Sequence, residues 1–323
     1  MFEDVPRVRL LEGPTPIERL SIPGVWVKRE DRAGTLYGGN KVRKLEFLLG
    51  AAVDGGGGDV LTLGAVGSNH LLATAVYGEA LGLRVQAVVS PQPDAPNVRR
   101  NVRALHAHAE KLWVARSDRE VPIAWAKAWV SIRAFGGWAP TTFPIGGSNT
   151  TGALGWVLGG LEIAAQVAAG EMPPPDRVVV ALGSGGTAAG LLVGLRLAGL
   201  ASEVVGVRTA PAWLANRTRV LALARRAMAR TGQRVRLDGL TLVHDQFGEG
   251  YGVPTAAGDA AMARAAEEGL TLEPTYTAKA FAGMLATPGG TTLFVNTYNS
   301  RPLEPLLASA LREVPPSLVG LLA

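Results

Sequence analysis

The chain of 323 residues contains no cysteine. That absence excludes disulfides, thiolate nucleophiles, iron–sulfur clusters and cysteine-ligated zinc. Charge is sparse at 18% of residues, while 47% are hydrophobic, so the sequence can build a large core. No apolar run approaches the ~20 residues that a membrane span requires. The acidic opening Met1-Phe2-Glu3-Asp4-Val5-Pro6 lacks the apolar stretch of a secretory leader. Cytoplasmic residence without membrane attachment is the expectation. The formal net charge is +5, with arginines gathered between Arg217 and Arg236. They stand at helical spacing around Val220, Leu221, Leu223 and Met228, without interleaved aromatics. That pattern reads as the wet face of an amphipathic helix, not as a nucleic-acid surface. His106 and His108 point to different sides of a helical segment with no completing carboxylate nearby, so no metal site is expected.

The length suggests about two domains. Strand-like and helix-like runs alternate. Strands are predicted over residues 25–30, 60–63, 84–90, 111–115, 177–182, 204–208, 241–243 and 292–295. Helices are predicted over 42–52, 71–81, 96–110, 122–135, 154–169 and 188–197. This alternation implies an α/β fold with open, twisted, mostly parallel sheets flanked by helices. Gly-rich or Pro-rich runs punctuate it at Asp54-Gly55-Gly56-Gly57-Gly58-Asp59, at Gly146-Gly147-Ser148-Asn149 and at Pro173-Pro174-Pro175.

Two motifs carry chemistry. The apolar strand at 177–182 runs into Gly183-Ser184-Gly185-Gly186-Thr187 and then a helix. Unpaired N–H groups at a helix start carry partial positive charge, and glycines let an anion approach the backbone. The run lacks the Lys-Ser/Thr ending of a P-loop, and its glycine spacing is not that of a dinucleotide fold. A tight turn with no ligand is as common an origin for such a run. The second motif is Tyr37-Gly38-Gly39-Asn40-Lys41-Val42-Arg43-Lys44. Lys41 begins a helix, where the dipole disfavours its charge and favours the nucleophilic amine. Alone it would be an ordinary surface lysine. Lys44 is expected in a salt bridge or in solvent. A reactive lysine with a separate phosphate loop is what an enzyme needs to hold pyridoxal 5'-phosphate (PLP).

In order along the chain, Lys28-Arg29-Glu30-Asp31, Gly38 to Glu46, Gly67-Ser68-Asn69-His70, Ile145 to Asn149, the 183–187 run, Glu249 to Thr255 and Glu273 to Lys279 resemble one family. It is the D-cysteine desulfhydrase and 1-aminocyclopropane-1-carboxylate (ACC) deaminase family, a branch of the fold-type II PLP enzymes related to tryptophan synthase β. The resemblance implies a two-domain fold. The expected division is 1–50 plus 150–323 as the large PLP-binding domain and 51–149 as the small one.

It also implies roles. Lys41 would be the Schiff-base lysine and the base at Cα, with Asn40 beside it in the cofactor site. Asn69 would bind the cofactor's phenolate oxygen. Ser68 would hold the substrate carboxylate or assist proton transfer. Gly183, Ser184, Gly185, Gly186 and Thr187 would bind phosphate. Tyr276 would stack on the ring and Tyr251 would line the substrate side, both counted as catalytic. Thr277 and Thr297 complete the cofactor set. His70, Tyr298 and Asn299 join Ser68, Asn69 and Tyr251 on the substrate side. The activity implied is α,β-elimination on a small amino acid, as in conversion of D-cysteine to pyruvate, sulfide and ammonia, in a homodimer. β-Replacement, an ACC deaminase-like reaction, elimination from another amino acid and non-catalytic ligand binding are the alternatives.

Departures from the family pattern cluster near the substrate. Gly67 stands where a desulfhydrase has Gln, Leu72 and Ala73 where Arg and Gln are usual, and Tyr298-Asn299 where Gly-Gly is usual. An acidic residue follows the stacking tyrosine in ACC deaminases, and here it is Thr277. A hydroxyl does not stabilise a pyridinium as a carboxylate does, so elimination of a good leaving group suits this chain better than cyclopropane opening.

Overall fold

A computed structural model of the chain describes residues 1–287, 289–308 and 314–321, which include every candidate site residue. The described residues contain two sheets. Strands β1 (Ile17–Arg19) and β2 (Val25–Lys28) open the chain; β3 (Asp59–Ala65), β4 (Arg84–Ser90), β5 (Lys111–Val114) and β6 (Thr141–Thr142) follow. The last four are β7 (Arg177–Leu182), β8 (Glu203–Arg208), β9 (Leu240–Val243) and β10 (Thr292–Val295). The larger sheet has the order β1-β2-β10-β7-β8-β9 and the smaller β5-β4-β3-β6. All pairs are parallel except β1 with β2.

Period-2 alternation decides which residues face which helix layer. From β7, Val178, Val180 and Leu182 enter one core cluster, packed with α5 (Thr150–Ala168), α6 (Gly186–Leu197) and α7 (Arg217–Ala229). Val179 enters another with Val205, Val207 and Phe294, under α8 (Ala256–Glu267) and α9 (Thr277–Ala286). The smaller sheet is sandwiched likewise. Val60, Val85 and Val89 pack with α2 (Asn69–Ala80) and α3 (Pro96–His108), and Leu61 and Val88 with α4 (Val121–Gly136). Helix α1 (Lys41–Asp54) joins both cores: Phe47 belongs to the first cluster, while Val42, Leu45 and Leu49 pack with the smaller sheet.

Glycine lets the helices behind the site approach closely. A Cβ at Gly155 of α5 would stand 1.9 Å from the Arg43 carbonyl of α1, and one at Gly160 would stand 2.9 Å from Gly194 Cα of α6. Beneath α1 lies a buried polar network. The Arg43 guanidinium spans Glu30 and Glu162, both at 2.7 Å, and Lys28 Nζ reaches Glu162 at 2.5 Å. Burial alone would raise the Glu162 carboxyl, but Arg43 and Lys28 hold it down at about 2. This network ties the start of α1 to β2 and α5, and so fixes where Lys41 begins.

Candidate active site

A cleft of about 580 Å³ opens at the C-terminal ends of the parallel strands of both sheets, the usual ligand position in open α/β folds. Lys41, Ser68, Asn69, His70, Gly183, Ser184, Gly185, Thr187, Tyr251, Tyr276, Thr297 and Tyr298 all line it, from segments spread over more than 250 positions of chain.

Lys41 is the first residue of α1. Its Nζ lies 3.1 Å from Asn40 Oδ1 and 6.0 Å from the centroid of the Tyr276 ring. Burial lowers its ammonium to about 8, against a smaller opposing pull from Glu273. Asn40 links lysine and loop: its Nδ2 donates to Thr187 Oγ1 at 2.9 Å, and its carbonyl accepts from Trp156 Nε1 at 3.0 Å.

The 183–187 loop turns through Gly185 at φ +89°, a left-handed conformation that favours glycine. Gly186 opens α6 and its N–H donates to Ser148 Oγ at 3.1 Å. Ser148 also meets Ser184 Oγ at 2.6 Å. Lys44 departs from the expectation of solvent or a salt bridge. It is buried, one helical turn after Lys41, and its Nζ donates to the Gly146 carbonyl and to Ser148 Oγ, both at 3.0 Å. Among the described residues it has no carboxylate partner. Burial, and then the neighbouring Lys41, push its ammonium well below the usual lysine value. An i, i+3 spacing places both lysines on one helix face, and that spacing is the one sequence signal that could have assigned Lys44 to the site.

Across the cleft, Ser68 caps α2, its Oγ accepting the His70 N–H at 3.2 Å. Asn69 Oδ1 accepts from Tyr37 Oη and from Asn101 Nδ2, both at 2.9 Å. The His70 ring is buried between Thr62 and Thr74, 3.2 and 3.4 Å from their hydroxyls, so neither ring nitrogen is left for a substrate. Burial, Lys41 and Lys44 hold it neutral.

The tyrosines meet as a pair. Tyr251 and Tyr276 share a hydroxyl contact of 2.5 Å with rings edge to face. Tyr276 immediately precedes α9, and the buried Glu273 carboxylate accepts the N–H groups of Thr275, Tyr276 and Thr277 at 2.7–3.0 Å. Glu273 itself reaches the cleft wall. Thr277 does not line the cleft: its hydroxyl accepts the Glu273 N–H at 2.9 Å. Asn299 is likewise occupied elsewhere, its Oδ1 accepting the Gly38 and Arg301 N–H groups at 2.6 and 3.0 Å. Thus it braces the glycine loop before Lys41 from behind. Neither Tyr298 nor Asn299 has a positive φ, so replacing the family's glycines introduces no left-handed strain here.

Residues 8–297 match the family model described as pyridoxal-phosphate dependent enzyme. The chain belongs to that family. Like other members, this PLP enzyme shares the fold-type II architecture. It is 36% identical over 290 residues to the D-cysteine desulfhydrase of Salmonella paratyphi A, covering 87% of this chain and 88% of that one. It is 36% identical to the D-cysteine desulfhydrase of Klebsiella pneumoniae over 291 residues, with the same two coverages of 87% and 88%. A solved ACC deaminase homologue superposes with a TM-score of 0.79 at 29% identity, over 96% of this chain and 98% of that one.

The cleft fits the cofactor. The buried Lys44 amine, which has no acidic partner among the described residues, the N-terminus of α6 and two serine hydroxyls converge where a phosphate dianion would favour the charged form of the lysine. A second lysine with a lowered pKa stands one helical turn away, beside an aromatic ring.

Proposed function

We propose that this PLP enzyme is a lyase that eliminates the β-substituent of a small amino acid, with D-cysteine the leading substrate and pyruvate, sulfide and ammonia the products. The 36% identity to a D-cysteine desulfhydrase over 87% of the chain carries this reading. Bound PLP supplies an electron sink for negative charge at the substrate Cα. Lys41 would hold the cofactor and take the Cα proton, and burial, by lowering its pKa to about 8, enlarges the fraction of neutral amine available near physiological pH. Ser68 and the N-terminus of α2 receive the substrate carboxylate. Asn69 donates to the cofactor's ring oxygen, and Thr297 serves the ring nitrogen. The 183–187 loop, Asn40, Lys44 and Ser148 hold the phosphate. Tyr276 packs on the ring, with Tyr251 hydrogen-bonded behind its hydroxyl and Tyr298 closing the wall. As the Cβ–S bond breaks, the electron pair leaves with sulfur, and the Tyr251–Tyr276 pair stands ready to deliver a proton to it.

ACC opening is the second reading, favoured by the 29%-identical ACC deaminase homologue. Against it stands Thr277, whose hydroxyl is tied to the Glu273 main chain. We also read residues 1–50 with 150–323 as the large domain and 51–149 as the small one, in a cytoplasmic homodimer; each proposed domain contains one sheet. The deciding experiment offers D-cysteine, L-cysteine, ACC and β-chloroalanine to the PLP-loaded protein. Steady pyruvate from D-cysteine is expected. Pyruvate from none of them, with a bound-cofactor spectrum that no amino acid perturbs, would sink the lyase reading.

A further inference from the structure

Behind Asn69 lies a hydrogen-bond chain whose direction is fixed by one backbone carbonyl. Asn101 of α3 is buried, and its amide nitrogen lies 2.9 Å from the Gly67 carbonyl and 2.9 Å from the Asn69 side chain. A carbonyl oxygen can only accept, so the Asn101 atom shared by the two contacts must be the NH2. The Asn69 atom facing that NH2 must then be its oxygen. Tyr37 approaches the same oxygen from the glycine loop before Lys41, at 2.9 Å, and so must donate. Tyr77 holds Tyr37 in place. The Tyr37 N–H donates to Tyr77 Oη at 3.2 Å, and Tyr77 Oη donates back to the Tyr37 carbonyl at 2.7 Å. Burial keeps the Tyr37 hydroxyl protonated well above the usual tyrosine range. With both donors on its oxygen, the Asn69 amide NH2 has no partner among the described residues and belongs to a side chain that lines the cleft.

Gly67 makes this approach possible. A Cβ there would stand 2.6 Å from Val98 Cγ1 and 3.0 Å from Gln92 Oε1. The departure from the family's Gln at this position is thus absorbed by α3, which packs directly on the glycine.

We propose that Tyr37 and Asn101 are positioning residues that lock the Asn69 carboxamide in one of its two flip states, presenting NH2 and not oxygen to the ring oxygen of PLP. This rests on the reading of Asn69 given under Proposed function. Without the lock, the amide can rotate and set its oxygen against the cofactor's oxygen.

The test compares Asn69→Ala, Asn101→Asp and Tyr37→Phe in the full chain. It measures PLP affinity by titration of the apoprotein and the pH dependence of the bound cofactor's absorbance. Asn101→Asp puts an acceptor against both oxygens. It is expected to weaken PLP binding on the order of tenfold, the weight of one hydrogen bond to a charged group, and to move the absorbance titration in the same direction as Asn69→Ala. Tyr37→Phe retains the ring and is expected to give a smaller shift of the same sign. Should Asn101→Asp fail to fold, Asn101→Ser with Tyr37→Phe decides. A purely structural role would lower the melting temperature of the apoprotein and leave the titration unmoved, which overturns the proposal. If Asn69→Ala itself titrates as wild type, the assignment of Asn69 falls first and the proposal with it.

Discussion

Lys44 Nζ lies 3.0 Å from Ser148 Oγ, and that hydroxyl accepts the Gly186 N–H at the first turn of α6. A buried lysine is thereby coupled to the 183–187 loop without an acidic partner among the described residues. Burial disfavours the charged form of that amine, and a phosphate dianion at the loop would offset this cost. Lys44→Met is therefore expected to weaken PLP binding by about tenfold or more. It should also shrink the gap between apo- and holoprotein melting temperatures. Equal gaps in variant and wild type would remove Lys44 from the phosphate site.

Lys41 should report its own titration. Its amine is neutral above its pKa, which burial lowers to about 8. The rate at which apoprotein takes up PLP should rise with pH through about 8 and level off above it, followed by stopped-flow absorbance. Lys41→Ala should lose turnover by at least about 10²–10⁴-fold, the range for removal of a positioned base.

The hydroxyl pair makes a prediction of its own. Tyr251 and Tyr276 are 2.5 Å apart at their hydroxyls. Tyr276→Phe and Tyr251→Phe should each lower kcat on the order of 10²-fold. The double variant should lose little more than the worse single one, because the two act as a unit. Additive losses in steady-state kinetics would separate them.

The network beneath α1 should appear in stability. Removing Arg43 leaves the buried Glu30 carboxylate without its cation and Glu162 with Lys28 alone, so Arg43→Met should cost about 3–5 kcal/mol in urea unfolding. Glu162 has a folded-state pKa of about 2, below the unfolded value of about 4.3. Its contribution is then fully present above about pH 4.3 and is lost as pH falls through about 2. Acid unfolding of Glu162→Gln should be flatter in that window than that of wild type.

Restoring the family residue at Gly67 should harm this chain. A Cβ there stands 2.6 Å from Val98 Cγ1. Gly67→Gln should destabilise by about 1–3 kcal/mol through overpacking, and Val98→Ala in the same chain should recover part of the loss in thermal melts.

Much of this molecule is written locally. The strands at 84–90, 177–182 and 292–295 coincide with the observed ones, because buried parallel strands are short apolar runs closed by glycine or proline. The short strands at Ile17–Arg19 and Thr141–Thr142 have no such signature. Three and two residues are too few to show a period, and they are strands because a neighbour pairs with them. Helix α8, rich in alanine, and helix α9, behind the tyrosine segment, are also absent from the pattern-based reading.

The same division holds in the site. Lys41, Asn69, the 183–187 loop and Tyr276 are legible because each stands in an ordered motif, and the fold brings them to one cleft. The placements of Lys44, Thr277 and Asn299 are not. Side chains three residues apart on a helix, or one residue beyond a cap, look alike in sequence, and only packing settles which atom faces the cleft. Residue order alone thus specifies the chemistry available: one lysine at a helix start, one anion loop and two tyrosines. The orientation of that chemistry comes from tertiary packing, because donor and acceptor directions depend on contacts between segments far apart in the chain, such as the Gly67 carbonyl with Asn101.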